Sequence, residues 1–143
     1  MTEDLLGLIA RLGEERALKI LQEVEGRSGS EALTIIANEG VHHLPDAMKR
    51  GVVHVASHGN LDFSTIASVQ SEYVRILSNL AQLLKQRTWT QIYLVPFGPS
   101  TLSMQIKLLV YRITRIETID VFYDGQGSYS DLSIAQRDLI VES

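Results

Sequence analysis

The chain has 143 residues, of which 45% are hydrophobic and 21% charged, a balance typical of one globular domain and far from that of a disordered chain. The formal net charge of −4 provides no positive field for a long polyanion, so duplex DNA or RNA is not expected as the main partner. With zero cysteines, disulfides, thiolate metal sites and a cysteine nucleophile are excluded.

The first 50 residues are predicted to form a small helical region. Two apolar sets with helical spacing precede Gly26, and a third apolar face, with Leu33, Ile35 and Ile36, follows a new helix start at Ser30. The acidic N-terminus, MTEDLLGLIARLGEER, does not resemble a signal peptide, and no apolar run reaches the roughly 18 residues of a membrane span. We therefore expect a cytoplasmic protein without a membrane partner.

From Gly51 onward the pattern changes to alternating strands and helices. Short apolar runs at 52–56, 92–95 and 119–123 predict strands, and the first is typical of a strand buried on both faces of a parallel sheet. Amphipathic helices are predicted over about 64–87 and 102–113, and the segment from 130 onward fits a short helix. This order is that of right-handed βαβ crossovers. We predict an α/β fold: a Rossmann-like three-layer unit with a short parallel sheet over 51–143, preceded by the helical region over 1–50.

Each of the three predicted strands ends in a polar turn that contains glycine: SHGN at 57–60, FGPST at 97–101 and DGQGSY at 124–129. Because the carboxyl ends of parallel strands meet at one edge of a sheet, these turns are expected to converge on a ligand crevice. The alternative is that turn-forming residues occur in these loops for backbone reasons alone.

The second predicted turn has features that suit an anion. Pro99 and Ser100 open the next helix, whose free amides would suit a phosphate, and Gly98 would let a ligand approach the backbone. There is no GxGxxG motif and no Walker A lysine, so the fingerprints of dinucleotide and nucleoside-triphosphate binding are missing.

The histidines leave several roles open. His58 could act as a general base, a metal ligand or a hydrogen-bond donor, and a pairing with Asp124 across adjacent strands, or with Asp62, would support a small hydrolase. His54 alternates with valines and is predicted to be packed. His42 and His43 lie near Asp46 without a further ligand, so we predict no metal and no cofactor.

The segment over 92–129, IYLVPFGPSTLSMQIKLLVYRITRIETIDVFYDGQGSY, resembles the later part of SAVED domains, the CARF-related sensors of bacterial antiphage systems. In that family a strand runs into a short proline-containing turn and an apolar helix, and the next strand ends in an acidic or aromatic turn with a tyrosine. Residues 52–60 would then supply the preceding strand and its ligand loop.

This resemblance implies binding of a cyclic oligonucleotide second messenger at the carboxyl rim of paired Rossmann-like units. A typical SAVED domain has two such units and this chain has room for one, so a second copy or a partner effector subunit is expected to complete the pocket. The aromatic residues would stack on bases and the amides would meet phosphates. The ligand-binding residues carried over by position are Ser57, His58, Asn60, Phe97, Gly98, Pro99, Ser100 and Tyr129.

A second resemblance concerns the stretch VVHVASHGNLDF, which looks like the strand and His-Gly turn of CHAT-type caspase-like proteases. In those enzymes the histidine assists a cysteine at the end of the next strand, which here ends as LVPFGPS. An active protease is excluded because no cysteine is present, whereas a catalytically inactive relative is not. Three hypotheses remain: a ligand sensor, a hydrolase or phosphodiesterase of such messengers, and a pseudoenzyme adaptor.

Overall fold

The computed structural model describes residues 31–40 and 43–141, and the helices predicted within residues 1–30 lie outside them. The described residues have an α/β fold, as predicted, built on a five-stranded, mostly parallel sheet with the order β2-β1-β3-β4-β5. The first four strands run parallel to one another, and the fifth runs antiparallel to the fourth. The strands are β1 (Ala32–Ile36), β2 (Val52–Val55), β3 (Gln91–Val95), β4 (Ile119–Tyr123) and β5 (Tyr129–Leu132).

Helices form the two crossover connections that the sequence predicts. Helix α1 (Ile66–Gln86) joins β2 to β3, and helix α2 (Ser100–Thr114) joins β3 to β4. Thr65 caps α1, because its Oγ1 accepts a hydrogen bond of 3.0 Å from the amide of Ser68. A short helix, α3 (Gln136–Val141), follows β5, and a single 3-10 turn (Asp46–Met48) lies between β1 and β2.

Both crossover helices pack on the same face of the sheet. Alternate residues of the two central strands point toward them, with Leu33 on β1 and Ile92 on β3 fully buried. Ile76 of α1 and Ile106 of α2 are equally buried in this cluster. Each such side chain contributes about 1.5–3 kcal/mol through its removal from water, so this layer holds the helices to the sheet.

The other face of the sheet, called here the second face, has its own apolar cluster. Ile36, Tyr93 and Val121 are buried there, and Leu44, from the segment between β1 and β2, packs against them. Gly51 ends this segment with φ of +68°, and a Cβ at this position would lie 2.1 Å from the carbonyl oxygen of Ala32. Glycine is therefore required where the chain enters β2.

The prediction of a helix around Leu33, Ile35 and Ile36 is wrong, since these residues lie in β1 at the centre of the sheet. Leu33 and Ile35 point to the helices whereas Ile36 points to the second face, which is the two-residue period of a strand. The helical region predicted for residues 1–50 therefore fails at residues 32–36, which pair with both β2 and β3.

Two predictions about the sheet edges are also wrong. Strand β2 was expected to be buried on both faces, but among the described strands it lies at the edge of the sheet, and Val53 is 40% exposed. The segment from Ser130 was expected to be helical, but it begins as β5 and turns helical only at Gln136. Within the described ranges, no helix combines the length and the apolar character needed to cross a membrane.

Candidate functional site

The loops that follow β1, β2 and β3 lie side by side at the carboxyl edge of the sheet, and this edge is called the rim. Backbone hydrogen bonds join them. The amide of Ala37 donates to the carbonyl of Val95 at 3.0 Å, and the amide of Glu39 donates to the carbonyl of Ser57 at 2.8 Å. The amide of Gly59 donates in turn to the carbonyl of Glu39 at 2.8 Å. The rim is therefore a bonded framework and not a set of separate loops.

The strand order places a reversal at the rim. After β1 the chain moves to one side to form β2, and it then crosses to the other side of β1 to form β3. In open α/β sheets, ligands bind outside the carboxyl ends of the strands at such a reversal, because the flanking connections leave in opposite directions and open a crevice. The loops after β1 and β3 define this position here.

Asn38 lies at the centre of the rim and was not among the predicted site residues. Its side-chain amide donates a 2.9 Å hydrogen bond to the carbonyl of Gly59, and its Oδ1 lies 3.2 Å from the hydroxyl of Ser57. On its other side it touches Gly98, where an added Cβ would lie 2.6 Å from the Cβ of Asn38. One side chain thus contacts the loops after β2 and β3 together.

The predicted ligand residues of the first turn are placed differently from one another. Ser57 is only 5% exposed and donates a 2.6 Å hydrogen bond to the carbonyl of Ala37, so its hydroxyl holds two loops together. His58 and Asn60 are exposed at the rim. We therefore keep His58 and Asn60 in the candidate site and assign the Ser57 hydroxyl to the framework.

The expected pairing of His58 with Asp124 across adjacent strands is wrong. Their strands, β2 and β4, are separated by β1 and β3, and at about 4.8 Å per strand the separation is roughly 14 Å. Asp124 instead accepts hydrogen bonds from the amides of Gln126 at 2.7 Å and Ser128 at 3.1 Å, and these bonds lower the pKa of Asp124. It fixes the turn between β4 and β5.

The carboxylate residue beside His58 is Glu39. The two residues form an isolated parallel β-bridge, which places them opposite each other in neighbouring loops. The other carboxylate considered for His58, that of Asp62, accepts bonds from the amide and hydroxyl of Ser64 at 2.9 and 2.6 Å, and these lower the pKa of Asp62. Asp62 thus orders the entry to α1, and Glu39, like Asn38, was not among the predicted site residues.

Three aromatic rings gather at the other end of the rim and are called here the aromatic cluster. Tyr129, at the start of β5, lies 4.8 Å from Tyr123, ring centroid to ring centroid, and 6.2 Å from Phe97. Phe97 and Tyr129 were both predicted as ligand residues, and the structure brings them together. Tyr123 was not predicted, although its place at the end of β4 could have suggested it.

The amino end of α2 follows Phe97 along the chain. Pro99 occupies the N-cap position and no side chain caps the helix there, while Ser100 is exposed. The first amides of a helix have no intrahelical acceptor, and together they attract negative charge. Thr101 is already engaged, since its Oγ1 lies 2.8 Å from the hydroxyl of Tyr73.

His54 is separate from the rim, inside β2. It is half-buried, and its Nε2 is buried without a hydrogen-bond partner. This burial lowers the pKa of His54, because the charged form is poorly solvated. The prediction that His54 is packed is consistent with this position.

A groove of about 670 Å³ lies away from the rim, between α2 and the C-terminal segment. Its walls are mainly apolar, with Met104 and Ile134 exposed by more than half. Lys107 and Asp120, which also line it, neutralise each other through a 2.8 Å ion pair. Arg137 and Glu117 also line the groove, so it has charges of both signs among mainly apolar walls.

Comparisons with protein-family models, with curated proteins and with solved structures find no match to this chain. In residues 31–40 and 43–141 there is also no group of three histidine, aspartate or glutamate side chains arranged to hold a metal ion. His42 lies outside the described residues.

Proposed function

We propose that the rim binds a nucleotide-derived second messenger, and that the protein is a ligand-sensing module. The observation that carries the proposal is that one ring of the aromatic cluster, Phe97, belongs to the loop that leads into the uncapped amino end of α2. Phe97 belongs to the cluster and precedes the first residue of α2, Ser100, by three positions. Three residues of chain span at most about 11 Å, so a ring suited to base stacking and amides suited to phosphate belong to the same short segment.

The two halves of a nucleotide need different partners, and the rim offers both. A base stacks on an aromatic ring with about 1–3 kcal/mol, largely independent of its identity. A phosphate is bound by helix amides and by the equivalent of roughly half a positive charge at the helix start. This local attraction does not require a basic protein, which agrees with the net charge of −4. His58 and Asn60 supply further hydrogen-bonding groups at the same edge.

The resemblance to SAVED domains narrows the ligand to a cyclic oligonucleotide and the setting to antiphage defence in the bacterial cytoplasm. It also bears on assembly, because the described residues contain one sheet with one rim. A cyclic ligand presents bases on more than one side. A second copy of the chain, or a partner effector subunit, is therefore proposed to close the pocket from the opposite side.

The test is titration of the full chain with a panel of cyclic dinucleotides and trinucleotides, followed by calorimetry and by the melting temperature. A ligand that binds the folded state raises the melting temperature, by an amount that grows with the logarithm of its concentration divided by its dissociation constant. Tyr129→Leu should weaken binding about 5- to 140-fold, which corresponds to the loss of one stacking contact of about 1–3 kcal/mol. Failure of every panel member to bind at high concentration would overturn the proposal and favour the adaptor hypothesis.

Phe122→Leu is the matched control for this experiment. Phe122 is the residue before Tyr123 on β4, it is 54% exposed, and it points to the opposite face of the strand. The substitution removes an aromatic ring outside the aromatic cluster, at a position more exposed than that of Tyr129. Its affinity for the ligand should match that of the unmodified protein.

A second candidate function is hydrolysis of the bound messenger, and the pairing of Glu39 with His58 favours it. The bridge is formed by the backbone, and a carboxylate and an imidazole act together in general acid–base catalysis where their side chains come within hydrogen-bond reach. Chromatography of the ligand after incubation separates the two functions, because a sensor returns it intact. Loss of turnover in His58→Ala, with binding retained, would establish the hydrolase and rule out a pure sensor.

A further inference from the structure

Arg50 spans the second face of the sheet and holds its outermost strand. Its guanidinium donates two hydrogen bonds to the carboxylate of Asp131 on β5, at 2.6 and 2.7 Å. The central carbon of the same guanidinium lies 3.6 Å from the ring centroid of Tyr93 on β3. This pairing lowers the pKa of Asp131 and raises that of Arg50, as expected for a direct ion pair.

The arginine is itself anchored to the centre of the sheet. Its amide donates a 3.0 Å hydrogen bond to Oγ1 of Thr34, and the same hydroxyl donates to the carbonyl of Arg50 at 2.7 Å. Thr34 lies in β1 and is fully buried. A continuous series of contacts therefore runs from the central strand through Arg50 to Asp131.

Asp131 and Tyr129 are two residues apart on β5, so their side chains lie on the same face of that strand. Opposite them on β4 are Val121 and Tyr123, respectively. Strand β5 has only four residues, which are mostly exposed, and within the described part of the chain it pairs with β4 alone. Such a short edge strand is weakly held by its backbone bonds, so a bidentate contact from outside β4 has a large effect on its position.

We infer that Arg50 is a positioning residue of the rim, which holds Tyr129 against Tyr123 by clamping Asp131. This inference rests on the proposed function, since Tyr129 is one of the rings assigned to base stacking. The guanidinium suits the task because its flat fork fixes a carboxylate in two directions while its face packs on Tyr93. A lysine would keep the charge and lose both of these constraints.

The test compares Asp131→Asn with Asp120→Asn. Asp120 is the matched control, because it also forms an ion pair, with Lys107 at 2.8 Å, but on the side of β4 that faces α2. Two quantities are measured: the dissociation constant of the tightest cyclic nucleotide in the panel, and the nuclear Overhauser effect between the Tyr123 and Tyr129 rings without ligand. A role limited to overall stability would not move the second quantity in a protein that remains folded.

Asp131→Asn is expected to raise the dissociation constant about tenfold and to weaken the ring-to-ring signal, while Asp120→Asn leaves both unchanged. Arg50→Lys should reproduce the effect of Asp131→Asn, and it replaces that variant if Asp131→Asn does not fold. An undiminished ring-to-ring signal with affinity within about twofold of the unmodified protein would overturn the inference. If the unmodified protein binds no nucleotide, the proposed function fails by itself, and the ring-to-ring signal still decides the role of Arg50.

Discussion

Replacing Gly98 by alanine tests whether Asn38 locks the loops after β1 and β3 together. Gly98 has φ of +86°, and a Cβ at this position would lie 2.6 Å from Cβ and 3.0 Å from Nδ2 of Asn38. Because the nearest atom is the first carbon of the Asn38 side chain, rotation of the flexible end cannot relieve the overlap. The backbone of one of the two loops has to move.

The expected loss of stability has two parts. A non-glycine residue in the left-handed region costs about 1–2 kcal/mol. Displacement of Asn38 would also weaken its hydrogen bond to the Gly59 carbonyl and its contact with the Ser57 hydroxyl, each of about 0.5–1.5 kcal/mol. Since the bond to Gly59 is exposed, the lower part of the range applies, and we expect a total loss of about 2–3 kcal/mol.

Urea unfolding followed by the fluorescence of Trp89 measures this loss, because Trp89 is the single tryptophan of the chain and is 5% exposed. Gly125→Ala is the control: its φ of +81° is nearly the same, and nothing lies within 4 Å of an added Cβ. Gly98→Ala should exceed this control by about 1 kcal/mol or more, and Asn38→Gly in the same chain should recover part of the difference. Equal losses in the two alanine variants would refute the locking role of Asn38.

Three further predictions concern the framework. Burial lowers the pKa of His54, so the unfolded chain binds a proton at this residue more tightly than the folded chain does. The free energy of unfolding should therefore fall as the pH drops below about 6.5. In His54→Gln the urea midpoint should depend less on pH. Ile106→Ala should lose about 2–5 kcal/mol because Ile106 is fully buried, whereas Ile66→Ala, at an 81% exposed position, should change stability by less than about 0.5 kcal/mol in the same assay. Thr65→Ala should cost about 1 kcal/mol and Thr65→Ser little, and equal melting curves for the two would contradict the capping role.

The crossover helices were predictable because their signal is local and repeated. Helix α1 places Ile76, Leu80 and Leu84 at four-residue steps over 21 residues, and such a pattern fits no strand. In the five-residue strand β1, Leu33 and Ile35 are two positions apart, as in a strand, whereas Leu33 and Ile36 are three apart, as in a helix. Its conformation is decided by pairing with β2 and β3, which are distant in sequence, so the local pattern could not settle it.

The candidate site was predictable to the extent that it follows from the direction of the strands. Parallel strands bring their carboxyl ends to one edge whatever their order, and this placed Phe97 beside Tyr129. Which loops are neighbours depends on strand order, and that order is a property of the whole fold. The pairing of His58 with Asp124 failed for this reason, and Glu39 could not be recognised while β1 was assigned to a helix.

The two ends of the rim are held by different interactions, so salt should affect them differently. Backbone hydrogen bonds of 2.8–3.0 Å between the loops after β1, β2 and β3 hold the end with Asn38, and salt has little effect on such bonds. The end with Tyr129 depends on an edge strand and on an ion pair whose Asp131 side chain is 39% exposed. Salt screens exposed charges, with a Debye length of about 10 Å at 0.1 M and about 3 Å at 1 M. Raising the salt concentration should therefore loosen the aromatic end first, and the ring-to-ring signal of Tyr123 and Tyr129 should decline while amide protection in β1 stays constant.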